Sequence, residues 1–214
     1  MKSVLILGMG EFGSAIAKRM SELNCDVLAV DINEERVNDI MPYVSGARIG
    51  DCSSREMLES LGVNNFDVCI VAVGGLFQTS LETTCTLKEL GAEFVMARAT
   101  NDVQMKFLQM VGADEVAYPE KQTAMRFATK YASDTILDFI QLDSNYSIYE
   151  MKVPKKWFGK TLSQIDIRKK YNVNILTIKR DGEVFIPMPD TQFKPDDDTF
   201  VIGEIKDILK CFNI

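Results

Sequence analysis

The first half of the chain alternates short, continuously apolar runs with longer amphipathic segments. The run from Val68 to Val73 has no polar residue at alternate positions, which is typical of strands buried on both faces. This pattern predicts an α/β fold, a doubly wound parallel sheet with helices on both sides. The predicted strands are 3–8, 26–31, 46–50, 67–73, 93–98 and 115–117, and the predicted helices are 12–23, 33–40, 53–61, 76–90 and 102–111.

Residues 119–142 form the most regular apolar stripe in the sequence. Apolar residues recur with i, i+3, i+4, i+7 spacing between Ala124 and Ile140, and Pro119 suits the first turn of a helix. We expect one helix here. Two interpretations remain open: the helix packs on its own domain, or it crosses to a second subunit. The second is favoured, because the stripe follows a completed sheet and would otherwise be exposed.

The composition changes at residues 143–145, and a different pattern follows. Strands are predicted at 147–153, 173–179, 183–186 and 199–203, with helices at 161–171 and 204–212; Asp181-Gly182 is typical of a two-residue hairpin turn. Such a small α+β module is marginally stable alone, so we expect it to dimerise or dock. The three aspartates at 196–198 could form a metal site, but a solvated acidic turn is the favoured interpretation. The predicted domains are therefore 1–118, a crossover segment at 119–143, and 144–214.

A glycine-rich turn lies between the first predicted strand and helix, with the sequence Gly8-Met9-Gly10-Glu11-Phe12-Gly13. The three glycines permit a tight turn, close approach to a pyrophosphate, and close packing of helix on strand, in that order. The helix start offers free N–H groups to phosphate. Asp31 ends the second strand, 18 residues after Gly13, where a carboxylate accepts ribose hydroxyls. The motif predicts a Rossmann-like nucleotide site; a plain strand-to-helix turn is the alternative.

Further candidates follow from the rule that ligands bind beyond the carboxyl ends of parallel strands. Asp51 either accepts from an adenine amino group or caps the next helix. Gly74, with Gly75, either lets the backbone pass close to a ligand or forms a plain turn. Arg98 either forks onto phosphate or makes a surface salt bridge. The strand-end residues outside the glycine turn and Asp31 are Ile32, Asp51, Cys52, Val73, Gly74 and Arg98.

Charge and composition exclude several classes of protein. The net charge is −7 and no basic stripe offsets it, which argues against a nucleic-acid partner. No apolar run reaches the about 18 residues of a membrane span, and we expect no signal peptide because a strand begins near Ser3. The five cysteines lack Cys-x-x-Cys spacing and are expected to be reduced thiols.

Catalytic groups are missing from the sequence. It contains no histidine, the commonest general base and transition-metal ligand. No Tyr-x-x-x-Lys pair is present: Tyr118 has Lys121 three residues on and Gln122 in the required place. A P-loop is also missing. We therefore expect a non-enzymatic nucleotide sensor, with an NAD(P)-dependent oxidoreductase as the alternative.

Taken together, these motifs resemble those of RCK-domain regulatory subunits of the TrkA/KtrA type, which serve bacterial potassium uptake systems. The resemblance covers essentially the whole chain. It rests on Gly8–Gly13, Asp31–Val37, Gly112–Glu115 and Pro119–Lys121, and in the second module on Asp166–Tyr171 and Asn174–Ile175.

The resemblance implies an RCK N domain, a crossover helix after Pro119 and an RCK C (TrkA-C) domain. Family members bind ATP, ADP or NAD(H) in the first domain and form dimers that assemble into octameric rings. The ring docks beneath a membrane channel or transporter subunit and gates it. The implied location is cytoplasmic, at the inner face of the membrane through that partner.

The resemblance also implies roles for individual residues. Glu120 corresponds to a carboxylate that helps hold a divalent cation near the nucleotide, and Arg98 to a phosphate-contacting cation. ATP-responsive relatives usually carry Arg where this chain has Glu11, so ADP, AMP or NAD(H) are expected over strong ATP discrimination. Some relatives bind cyclic di-AMP in the C-terminal domain, and the corresponding residues here are Ile165, Asp166, Arg168, Asn174 and Pro187.

Overall fold

The computed structural model describes residues 1–73, 75, 77–143 and 145–213. Two compact units are present, Met1–Lys121 and Gln122–Ile214, each with its own apolar core. The predicted fold class, a parallel α/β domain followed by a small α+β domain, is confirmed.

The first unit is a six-stranded parallel sheet with the strand order β3-β2-β1-β4-β5-β6. The side chains of strand β1 show that both faces of this sheet are covered. Leu5 and Leu7 pack into one apolar cluster, whereas Val4 and Ile6 pack into the other, and all four are fully buried. The elements are β1 (Ser3–Leu7), α1 (Glu11–Glu22), β2 (Asp26–Asp31), α2 (Glu34–Ile40), β3 (Gly46–Ile49), α3 (Arg55–Leu61), β4 (Val68–Val71), α4 (Phe77–Glu89), β5 (Val95–Arg98), α5 (Asp102–Met110) and β6 (Glu115–Ala117), with 3-10 turns at Met41–Tyr43 and Val63–Asn65.

Helix α6 (Pro119–Tyr131) follows β6, and the second unit then forms a five-stranded antiparallel sheet of order β10-β9-β11-β8-β7. The predicted hairpin is confirmed: Asp181 and Gly182 both have positive φ, at 52° and 85°, and Arg180 pairs with Glu183. The elements are β7 (Ile136–Gln141), β8 (Tyr146–Lys152), α7 (Leu162–Ile165), α8 (Ile167–Tyr171), β9 (Asn174–Arg180), β10 (Glu183–Phe185), β11 (Asp198–Glu204) and α9 (Ile205–Phe212), with a 3-10 turn at Lys155–Trp157.

Two sequence-based helices differ from the structure. The single helix expected over 119–142 is wrong, since α6 ends at Tyr131 and β7 pairs with β8. The apolar side chains of β7 fit helical spacing, but β8 supplies ladder hydrogen bonds, and the Phe139 ring stacks on Tyr149 with centroids 5.4 Å apart. The helix expected over 161–171 is interrupted at Asp166, whose φ of 51° is left-handed. Pairing with β8 therefore decides the first segment, and the left-handed backbone at Asp166 divides the second.

Candidate nucleotide-binding site

The carboxyl ends of the central strands enclose a cavity of about 510 Å³. It lies where the strand order reverses between β1 and β4, the position at which doubly wound sheets bind ligands. The cavity is lined by Gly8, Gly10, Asp31, Ile32, Arg36, Asp51, Cys52, Ser53, Ala72, Val73, Gly75, Thr79 and Arg98.

The glycine turn leaves no room for side chains at two of its three glycines. Gly8 has φ of +98°, and a Cβ there would lie 3.1 Å from the main-chain nitrogen of Val73. A Cβ on Gly13 would lie 1.9 Å from the carbonyl oxygen of Gly8. Gly10, by contrast, has nothing within 4 Å of its Cβ position and precedes α1 as its N-cap. The open side of the turn therefore lies at Gly10, next to the free N–H groups of a 12-residue helix.

Asp31 joins the glycine turn to the end of β2. Asp31 is 4% exposed, and its carboxylate accepts hydrogen bonds from the N–H groups of Met9, at 2.6 Å, and Asn33, at 2.8 Å. The guanidinium of Arg36 lies 3.7 Å from the same carboxylate. These bonds orient the Asp31 side chain at the cavity wall, so little reordering is needed for it to accept from a ligand.

Asp51 does not cap the following helix. Ser54 is the N-cap of α3 and accepts from the N–H of Met57, so the capping alternative is wrong. The Asp51 carboxylate instead accepts from the main-chain N–H of Ser53 at 2.9 Å and from its hydroxyl at 2.7 Å. The Ser53 N–H is the main cause that lowers the pKa of Asp51. An adenine-facing role for this ionised carboxylate stays a prediction.

Arg98 lies at the end of β5 with its guanidinium held on two sides. It makes an ion pair with Glu120, and its guanidinium carbon lies 5.4 Å from the ring centroid of Phe12. Among the described residues, its buried Nε has no hydrogen-bond partner. A hydrogen bond from its own N–H, then the Arg98 guanidinium, lower the pKa of Glu120. Glu120 thus neutralises the Arg98 guanidinium, which would otherwise be available to bind a phosphate.

Among the residues that the structure describes, no cluster suited to a metal ion forms around Glu120. In the described ranges, no group of three or more His, Cys, Asp or Glu side chains converges anywhere. Cys52, which lines the cavity, is also unsuited to nucleophilic chemistry, because burial raises the pKa of its thiol to about 12. The lining offers binding groups, chiefly two carboxylates, two guanidinium groups and main-chain N–H groups.

Eight of the thirteen predicted residues line this cavity, and four others shape it. Met9, Glu11, Phe12 and Gly13 form the turn and the start of α1, and Gly74 lies outside the described residues. Sequence reasoning missed Arg36, Ser53, Ala72 and Thr79 as lining residues. For Arg36 a signal existed, since one turn of α2 separates it from Asn33, the N-cap that follows Asp31 and Ile32.

The predicted second site is partly assembled in the C-terminal unit. Asp166, Arg168 and Asn174 line a concavity of about 220 Å³. Arg168 and Asn174 also line an adjoining concavity of about 240 Å³. Ile165 is instead 7% exposed within the core, and Pro187 is absent from both linings, where Pro189 contributes to the first.

Comparison with known families agrees with this architecture. Residues 4–119 match the TrkA-N domain, and residues 147–214 match the TrkA-C domain. The chain belongs to the TrkA/KtrA-type family of RCK-domain proteins. It is 39% identical to the Ktr system potassium uptake protein C of Bacillus subtilis, over 98% of this chain and 95% of that protein. The Ktr system potassium uptake protein A of the same organism is 35% identical, over 99% and 96%.

Solved structures support the fold of this TrkA/KtrA-type chain. The GsuK RCK domain aligns with a TM-score of 0.68 at 17% identity, over 97% of this chain. The GsuK channel bound to NAD aligns with a TM-score of 0.70 at 17% identity, over 99% of this chain. The chain spans less than half of both, 46% and 39%. Among the described residues, none of the helices combines the length and apolar character needed to cross a bilayer.

Proposed function

We propose that this chain is the nucleotide-sensing regulatory subunit of a potassium uptake system, without catalytic activity of its own. The cavity at the strand-order reversal carries the proposal, because it joins a glycine turn, a buried carboxylate and a cation in one nucleotide-sized space. Relatives named as Ktr potassium uptake proteins, 39% and 35% identical over nearly the full chain, supply the transport context.

The binding mode follows from the groups around the cavity. Asp31 accepts the ribose hydroxyls, as carboxylates at this position of the fold do. The pyrophosphate lies against the open face of Gly10 and the positive end of α1. Arg98 then contacts phosphate oxygens in place of Glu120. Binding therefore removes the ion-pair partner of Glu120 in the first turn of α6. The loss of this contact links ligand binding to the conformation of α6.

The ligand is an adenine nucleotide or NAD(H). Glu11 is exposed in the first turn of α1, where it places a negative charge near the phosphates, so ADP, AMP or NAD(H) are favoured over ATP. NAD is bound in a GsuK structure of similar fold. A divalent cation held by Glu120 is compatible only with a state in which Arg98 has left that carboxylate.

Self-association and a membrane partner complete the proposal. Helix α6 has no buried residue among those described, and Phe127 and Tyr131, one turn apart with their rings stacked, are 52% and 77% exposed. This apolar face suits a second copy of the chain, with an octameric ring as the larger assembly. The ring acts on a membrane potassium-transport subunit, which holds this cytoplasmic chain at the inner face of the membrane.

Calorimetric titration of the purified chain with ATP, ADP, AMP and NADH tests the sensing site. We expect binding by at least one of them, and no binding by any would refute the proposal. Potassium uptake by cells that express a Ktr membrane subunit, with and without this chain, tests the regulatory part. Constant NADH absorbance in the bound state is expected of a sensor, whereas oxidation would favour the oxidoreductase alternative.

We propose cyclic di-AMP as a second ligand, bound at the concavity lined by Asp166, Arg168 and Asn174. Titration of the full chain with cyclic di-AMP separates this site from the first. Asn174→Ala should abolish that binding without changing nucleotide affinity. The matched control is Asn145→Ala, an exposed amide in the loop before β8.

A further inference from the structure

A strongly basic segment interrupts this acidic chain. Residues 152–171 contain seven basic side chains and a single acidic one, Asp166, although the whole chain has 24 basic and 31 acidic residues. The expectation that no basic stripe offsets the acidic charge is therefore wrong for this segment. Its basic residues are Lys152, Lys155, Lys156, Lys160, Arg168, Lys169 and Lys170.

The fold gathers three of these lysines around one concavity. The 3-10 turn at Lys155–Trp157, the loop that follows it and helix α8 bring Lys156, Lys160 and Lys170 to the lining of a space of about 170 Å³. Its other lining residues are Trp157, Gln164, Ile165 and Tyr171. A segment spread over 15 residues in sequence thus becomes a compact positive site.

The floor of this concavity is rigid. Trp157 is 2% exposed, and its ring packs on Phe193 and Phe212 with centroids 5.5 and 5.0 Å apart. The ammonium of Lys156 donates to the carbonyl oxygen of Cys211 at 3.0 Å and lies 5.9 Å from the ring centroid of Tyr171. One of the three charges is therefore held in place before any ligand arrives, which lowers the entropic cost of binding.

These lysines carry no compensating charge. Across the described part of the chain, Lys156, Lys160 and Lys170 take part in no ion pair, whereas Arg180 in the same unit forms a two-bond pair with Asp197. Three ammonium groups around one small space repel each other, and the repulsion is relieved by an anion between them.

The remaining polar groups of the lining can also donate. Gln164 uses its side-chain oxygen to accept from the N–H of Thr161, which leaves its NH2 group to donate. The hydroxyl of Tyr171 and the indole N–H of Trp157 are the other neutral donors, and none of the described lining residues carries a carboxylate. Such a set of donors matches a ligand that has only acceptor oxygens and more than one negative charge.

We infer that this concavity is a phosphate-binding site, separate from the nucleotide cavity, which belongs to the other unit. The ligand class is a phosphate group, either free as a small polyanion or carried on the head group of an anionic lipid. Lys160 and Lys170 contact the phosphate oxygens together with the pre-positioned Lys156. Lys155 and Lys169, next to them in sequence, add to the attraction of a larger anionic surface.

The test uses the full chain and the double variant Lys160→Gln/Lys170→Gln, both in chloride buffer without nucleotide. Pyrophosphate is titrated by calorimetry, and sedimentation with phosphatidylcholine vesicles is compared with and without phosphatidylglycerol. We expect affinity for one of these probes to fall at least about tenfold in the double variant, because two charged hydrogen bonds are lost. The control Lys2→Gln/Lys106→Gln removes the same charge from exposed positions of the other unit and should bind as the wild type does.

The two arms identify the source of the phosphate. Pyrophosphate binding that depends on the lysines indicates a free anion, and lysine-dependent binding to anionic vesicles alone indicates a lipid head group. Lys160→Arg/Lys170→Arg keeps the charge and should retain binding, which separates loss of the site from misfolding. Binding of neither probe, or equal binding by wild type and the Gln variant, would overturn the inference whether or not nucleotides bind.

Discussion

The main-chain N–H of Met9 donates a hydrogen bond to Oδ2 of Asp31 across 2.6 Å, within the wall of the nucleotide cavity. The same carboxylate therefore holds the glycine turn in shape and faces the space where a ribose would lie. Because these two tasks share one side chain, structural and ligand-binding effects of a substitution at Asp31 have to be measured separately.

Asp31→Asn should affect both properties. Its amide oxygen can accept from Met9 or from Asn33, while its NH2 group faces the other donor, so we expect the free energy of unfolding to fall by about 1–3 kcal/mol. Affinity for every adenine nucleotide and for NADH should fall at least about tenfold. Urea unfolding and calorimetry measure the two effects. Asp39→Asn, at an exposed position of α2, is the control, and unchanged affinity in Asp31→Asn would contradict the ribose assignment.

Alanine at Gly13 should reduce stability, whereas alanine at Gly10 should reduce nucleotide binding. At Gly13 the new Cβ would collide with the Gly8 carbonyl oxygen, so we expect a loss of about 1–3 kcal/mol or more in unfolding free energy. At Gly10 the Cβ enters open space and φ is −69°, so the fold should persist. Thermal unfolding followed by circular dichroism, with calorimetry on Gly10→Ala, separates them: the Gly10 variant should lose nucleotide binding only.

Glu120→Gln should increase affinity for phosphate-bearing nucleotides. The substitution releases the Arg98 guanidinium from its ion pair, and exposed pairs of this kind are weak, so the gain should be about two- to fivefold. Arg98→Ala should act in the opposite direction. Glu115→Gln, an exposed carboxylate on β6, serves as the matched control in the same titrations. A loss of affinity in Glu120→Gln, measured with Mg²⁺ present, would mean that this carboxylate acts on the ligand directly.

The pair between Arg126 on α6 and Asp138 on β7 should make stability depend on acid pH. The hydrogen bond from Arg126 is the main cause that lowers the pKa of Asp138 to about 2, from an ordinary 3.8. A lowered pKa of a carboxyl group stabilises the folded state above the unfolded-state pKa, and that contribution is lost as the pH falls through the folded value. The stability difference between wild type and Asp138→Asn should thus be constant near neutral pH and shrink from about pH 4 to about pH 2.

Urea unfolding at several pH values measures this difference. Asp190→Asn, at an exposed loop position, should show no such pH-dependent difference. A difference for Asp138→Asn that stays constant through the acid range would show that Arg126 does not pair with Asp138 in solution.

Breaking the pair of Arg180 and Asp197 by substitution should cost more stability than breaking the pair of Arg126 and Asp138, because Asp197 is 1% exposed. Arg180→Met leaves a buried carboxylate without its cation, and we expect a loss of about 3–5 kcal/mol in unfolding free energy. Arg180→Met/Asp197→Leu should recover most of that loss, since both polar partners are then replaced. Urea unfolding of the two variants measures the recovery. A double variant as unstable as the single one would contradict the assignment of the loss to the orphaned charge.

The first unit was largely predictable, since its signals are local. Continuous apolar strands, the glycine turn and Asp31 each follow from a few neighbouring residues, and the strand ends that line the cavity follow from the topology. Strand β7 was not predictable in this way. Its apolar residues fit a helix, and only its pairing with β8 and the stacking of Phe139 on Tyr149 favour the strand.

The pairing of side chains that lie on different elements could not be predicted from the sequence either. Nothing local indicates that Glu120 would hold Arg98, or that Ser54 rather than Asp51 would cap α3. The basic segment was visible in the sequence, but the convergence of Lys156, Lys160 and Lys170 depends on Asp166, where the chain turns between α7 and α8.

The self-association proposed for the exposed apolar face of α6 would make the stability of the chain depend on protein concentration. Phe127 and Tyr131, one turn apart on α6 and each more than half exposed, would be covered by the second copy proposed above. By mass action, association with the folded form raises the unfolding temperature as the protein becomes more concentrated. Dilution would then weaken the subunit as well as its assembly, so that a cell producing too little of it would hold a less stable protein.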